Sequence, residues 1–440
     1  MNSPEMMSDP SRAWSVYTPT DSAPWDMARV AHLHRRAGFR APWHVLKRDL
    51  AEGPETSIRR LIEGEDAGRF ETEMDGMAAR FAASGNLKRL QGTWLYRMIF
   101  TPHPLRERMT LFWHDHFATS NAKVNNPTLM RRQNDLLRKH ALGRFSTLLT
   151  EIARDPAMLI WLDCVANRRA HPNENYAREV MELFALGRGA YSETDVQEAA
   201  RAFTGAFIQD DRFHEVAIQH DDGPKTILGQ TGPFRGDDVA RILLEQPACA
   251  IFLSRKLFAH FISEVDEPSD ALLAPLAESY RSSGYDTAVP VGMILRSQLF
   301  HDPSVRRRRV SSPVEFTVGT VRALEVLSPT VSPDALADAT VQMGQGLFAP
   351  PSVAGWDGGT GWINTTTSIA RTNFILGLVA DTARFRPEVL PKKYENQDIA
   401  GFYVDLLVQD ALDESVRQRL RGTPAEVATL VLTAPEYQLA

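Results

Sequence analysis

The sequence predicts an all-α fold: a single large multi-helical domain with two long irregular loops and at most a small β-hairpin. Three observations predict it. Apolar residues recur at helical spacing along almost the whole 440 residues, strand-like alternation is nearly absent, and several helix starts carry explicit caps.

Taken in order, residues 1–24 are polar, with Pro and Ser, and read as a disordered leader; residues 25–440 form the domain. Residues 31–38 read as a helix stopped by Gly38, and Pro42-Trp43 restarts the chain into another. Helical period then predicts helices over about 70–84, 86–100, 104–118, 126–141, 145–154, 174–187 and 192–206, and, after a break, over about 236–245, 247–265, 270–283, 287–300, 313–327 and 333–345. The last are about 367–382, 397–409, 412–421 and 424–434. Ser192 followed by Asp195 resembles a capping box, and Thr423-Pro424 places proline at a first helical position. Two irregular stretches, about 207–235 and 347–366, interrupt this pattern, and loops of such length inside a domain tend to be functional. Within the first, residues 225–228 alternate and suit a small hairpin.

Composition excludes several classes. A net charge of -6 gives no general attraction to nucleic acid, and no run of 18 apolar residues provides a membrane span. The run Arg306 to Arg309, next to Ser311-Ser312-Pro313, reads as a solvated, helix-capping cluster. Cys164 and Cys249 lie in apolar surroundings and read as buried free thiols. No basic stretch followed by an apolar run opens the chain, so a cytoplasmic location is expected.

Three polar clusters stand out against the apolar background. His114-Asp115-His116 could chelate one metal from a strand, but the spacing of Met109, Phe112, Trp113, His116 and Phe117 predicts a helix that turns His116 inward. A buried, hydrogen-bonded histidine and a metal ligand are both open readings. Glu174, Glu179 and Glu182 run through a strongly apolar helix. Glu174 is explained as a helix-start charge, whereas Glu179 and Glu182 require cations, either Arg178 and Arg201 or a metal. The third cluster, Trp356, Asp357, Trp362 and Asn364 in a Gly-rich loop, is either a stacking platform for a sugar or aromatic ligand or a pair of inward-folded anchors. No Walker, GxSxG, HExxH or GxGxxG motif is found in its required context.

Together, residues 112–117, 173–179 with Glu182-Leu183-Phe184, 198–205, Gly229-Gln230-Thr231-Gly232 and Gly355-Trp356 through Trp362-Ile363-Asn364 resemble the bacterial family called domain of unknown function 1800, over nearly the whole chain. Ala206 stands where the resemblance leads one to expect Trp, and Ser352 where Asn is frequent. The resemblance implies neighbourhood with a second, sulfatase-like family, and hence a sulfatase-like protein as partner.

Three functions follow as expectations. One is a metal-dependent, hydrolase-type enzyme with His114, His116, Glu179 and Glu182 around one divalent ion (Zn, Fe or Mn), Glu179, Glu182, Arg178 and Arg201 as catalytic groups, and Asn173, Asn175, Trp356, Asp357, Trp362 and Asn364 on the substrate. The second is a non-catalytic helical partner or scaffold protein in which the same residues form a buried network. The third is a carbohydrate-binding protein that uses the Trp/Gly-rich loop.

Overall fold

The computed structural model describes residues 6–65, 67–409 and 412–440 and builds them almost wholly from helices. Those that position the site are α1 (Met27–Ala37), α2 (Leu87–Phe100), α3 (Pro104–His116), α4 (Pro127–Lys139), α5 (Asn175–Glu179), α6 (Glu193–Ala202), α7 (Pro247–Phe261), α8 (Pro313–Ala323) and α9 (Thr365–Ala380). Most begin where the sequence supplies partners for otherwise orphaned N–H groups, and α3 and α7 begin with a proline instead. Asp26 caps α1, Asn86 caps α2, Asn126 caps α4, and Ser192 and Ser312 close capping boxes at the starts of α6 and α8.

Three departures from the sequence expectation have physical causes. Residues 6–24 do not form a disordered leader: Asp9 caps a short helix, Pro10–Ala13, and Met6, Trp14 and Tyr17 are buried. The Trp14 indole donates to the Leu272 carbonyl at 2.6 Å, so a few aromatic anchors outweigh a polar local composition. The expected helix 174–187 is α-helical only to Glu179 and widens into a π-helix over Val180–Ala185, with Leu186 N–H reaching back to the Met181 carbonyl at 2.8 Å. Finally there are two hairpins rather than one among the described residues. Strand β3 (Lys225–Ile227) pairs with β4 (Gln230–Gly232) as the alternation predicts, and β1 (Ala206–Gln209) pairs with β2 (Arg212–Glu215) in a segment read as irregular. The β1–β2 turn uses Asp210 and Asp211 at positive φ, residue types that tolerate this conformation.

Among the described residues the apolar interior comprises two clusters. One gathers side chains mainly from residues 105–305; the other is drawn from the N-terminal helices, α2 and residues 314–437. Helix α3 serves both, giving Leu105, Met109, Phe112 and Trp113 to the first and Leu111 to the second. Both cysteines are buried and free. Among the described residues no helix is long and apolar enough to cross a membrane.

Candidate functional site

The site grows from the last turn of α3. Successive helical side chains diverge by about 100°, so His114, Asp115 and His116 leave the helix in three directions. His114 turns into one core, where its ring lies 5.1 Å from that of Trp94 and its Nε2 accepts the Phe348 N–H at 3.1 Å. Burial takes its pKa down to about 3, so it is neutral. His116 enters the other core, among Trp113, Phe117 and Phe184, and is also held neutral by burial. Its Nε2 faces the Phe184 carbonyl at 3.0 Å, which places the proton on that nitrogen, and Nδ1 has no partner.

Asp115, between them, faces a cleft of about 510 Å³ bounded by α3, α7, the start of α8 and the loop 347–366. Its Oδ1 accepts the Trp356 N–H at 2.9 Å. Burial pushes this carboxyl up to about 6 despite that hydrogen bond and the attraction of Lys256. The loop can approach so closely because of Gly355, whose φ is +85° and where a Cβ would stand 2.3 Å from Asp115 Oδ1 and 2.7 Å from the Asp115 carbonyl.

Across the cleft, Lys256 projects from α7 and makes no ion pair or hydrogen bond among the described residues. Its ammonium sits 5.2 Å from the centre of the Phe252 ring, and burial lowers its pKa against the opposing pull of Asp115. The back wall is an ionic network. Glu315, third residue of α8 and closing the Ser312 capping box, meets Arg108 at 2.5 Å and Arg309 at 3.3 Å, and Arg309 Nε donates to Glu264 Oε1 at 2.6 Å. Burial alone would raise the Glu315 carboxyl, but the two guanidinium groups hold it at about 2. Arg108 Nε donates to His260 Nε2 at 3.0 Å, so the His260 proton resides on Nδ1. Glu264 Oε2 is buried without a hydrogen-bond partner.

Of the residues expected in the site, the cleft brings together His116, Trp356, Asp357 and Trp362, with the His114 ring 5.8 Å from that of Trp356. It does not bring in the glutamates. Glu182 accepts from Arg188 at 2.7 Å and from the Tyr191 hydroxyl at 2.9 Å, which together lower its pKa. Glu179 is half-buried, its pKa raised by burial and by Glu182. Arg178 pairs with Glu174 and Glu193, and Arg201 with Glu198 and Asp221. Asn173 and Asn175 donate to the Asp163 and Leu162 carbonyls, and Asn364 caps α9. The two imidazoles and two glutamates expected around a metal therefore do not converge, and among the described residues no group of three or more His, Cys, Asp and Glu is placed to hold one.

Sequence reasoning missed Lys256, His260, Glu264, Arg309 and Glu315. Lys256 carried a signal: it stands in the apolar helical run 249–258. Arg309 closes a run read as solvated, yet it is buried between two glutamates.

A family model described as "Protein of unknown function (DUF1800)" matches residues 32–439 of the chain. No curated protein and no solved structure matches it.

Proposed function

Since the chain belongs to the DUF1800 family, which brings no activity with it, we propose from the cleft itself that it is an enzyme carrying out acid–base chemistry of the hydrolase type. The observation that carries this reading is the pairing of two perturbed groups across one open cavity. Asp115 is raised to about 6 and Lys256 is lowered, so each is shifted towards the operating range of a proton-transfer group. In its protonated form Asp115 delivers a proton to the leaving oxygen, its carboxylate takes back the proton that the adding water loses, and Lys256 offers positive charge to oxygen that becomes negative in between. The cleft volume falls in the range of about 300–1,000 Å³ common to small-ligand sites.

The surroundings support the same reading. Asp115 is fixed by Trp356 N–H and by a helix anchored in both cores, as a positioned acid requires. The test is turnover of a panel of p-nitrophenyl esters and glycosides by wild type and Asp115→Asn. Hydrolysis with a pH limb near 6 that the substitution abolishes supports the proposal. Turnover indifferent to Asp115, or an Asp115 carboxyl that titrates near 4 by carbon NMR, overturns it.

A further inference from the structure

The polar atoms that the fold leaves without partners specify what the cleft accepts. They come in both hydrogen-bonding senses. His116 Nδ1 is a bare acceptor, because Nε2 holds the ring proton against the Phe184 carbonyl. Glu264 Oε2 is a second acceptor, its other oxygen being occupied by Arg309. On the donor side, His260 has its proton on Nδ1 because Arg108 occupies Nε2, and Lys256 makes no ion pair or hydrogen bond among the described residues, although Asp115 attracts it. All four side chains line the same cavity.

A buried acceptor without a donor costs about 1–3 kcal/mol, and a fold tolerates several in one place when a ligand or water completes them. The group that answers acceptors and donors within one small space is the hydroxyl, which gives one hydrogen bond and takes two. An anionic ligand fits poorly. Asp115, Glu264, Glu315 and Asp357 line the cleft against only Lys256 and Arg309, and Arg309 is already shared between two glutamates. The Trp356 ring, partly exposed at the cleft, adds an apolar face of the kind that packs on the C–H surface of a sugar ring.

We infer that the cleft binds a neutral, polyhydroxylated ligand of the glycan class, with Glu264 and His116 accepting from its hydroxyls. The inference rests on the acid–base reading only for what happens after binding. Its test is calorimetric titration of the full chain with cellohexaose, chitohexaose and maltohexaose, alongside citrate and inorganic phosphate. The expected result is binding of at least one oligosaccharide, weakened tenfold or more by Glu264→Gln and by Trp356→Ala in variants that keep the wild-type circular dichroism, and no binding of either anion. Failure of all three oligosaccharides overturns it. So does binding of phosphate or citrate that Lys256→Met removes. The two readings fail separately: oligosaccharide binding with Asp115 titrating near 4 keeps the ligand class and ends the acid–base proposal, and the reverse result ends the ligand class alone.

Discussion

Asp115 Oδ1 accepts the backbone N–H of Trp356 at 2.9 Å, so the carboxyl at the end of α3 and the Gly-rich loop over the cleft are fixed by one another. Five substitutions test this arrangement and what surrounds it.

Asp115→Asn is expected to stabilise the protein at neutral pH. Folding raises this carboxyl from 3.8 to about 6, so the native state binds the extra proton and its stability falls as pH rises through that interval. The asparagine keeps an acceptor for Trp356 and removes the charge. Its advantage should be absent below pH 3.8, grow up to about pH 6 and stay constant above, at no more than about 3 kcal/mol. Urea unfolding at pH 3.5 and pH 8 measures this, and equal differences at both values contradict it.

Gly355→Ala is expected to undock the loop. The positive φ costs an L-residue about 1–3 kcal/mol, and the new methyl would collide with both the carboxylate and the main-chain oxygen of Asp115. Faster proteolysis within 347–366, with a shift in tryptophan fluorescence, is the readout; an unchanged cleavage rate counts against a docked loop.

Glu315→Gln should destabilise strongly, by about 3–5 kcal/mol, because it leaves Arg108 and Arg309 buried with less countercharge. The glutamate's folded pKa lies below its ordinary 4.5, so its contribution is complete above that value and is lost as pH falls towards about 2. Wild type and variant should therefore converge in acid, as thermal melts at pH 7 and pH 2.5 would register.

Glu182→Gln should change stability by no more than about 1 kcal/mol, since its partner Arg188 is almost fully exposed. Glu179→Gln should be neutral or stabilising at pH 7, because folding raises this carboxyl and so disfavours its charged form. Neither should alter oligosaccharide titrations, whereas a tenfold loss in either variant would return the site to α5.

The helical architecture was legible because period and caps are local signals; α3, α7 and α8 begin at the prolines expected to start them. Where burial depends on distant segments the sequence is silent. Trp14 looks like part of a polar leader until Leu272 is placed beside it, and Arg309 looks solvated until Glu264 and Glu315 enclose it. The acidic stripe of residues 174–182 attracted attention because an apolar helix makes charges conspicuous. Yet Glu174 and Glu182 are satisfied by Arg178, Arg188 and Tyr191 close by in sequence, and the half-buried Glu179 lies away from the cleft. Asp115 was hidden by its neighbours: two flanking histidines suggest metal ligation, and only the helix shows the three side chains leaving in different directions, with the carboxyl facing the cavity.

The attachment of α3 to both apolar clusters has a mechanical consequence. Rotating the turn that carries Asp115 would disturb packing on either side, so the carboxyl is held in place by both clusters at once. The neighbouring wall is a loop docked on the same turn at Gly355 and through the Trp356 N–H, and anchored towards its ends by the buried Leu347, Phe348 and Trp362. Its exposed side chains, such as Asp357 and Thr360, can be exchanged without moving the carboxyl, so the lining of the cleft and the position of Asp115 vary independently.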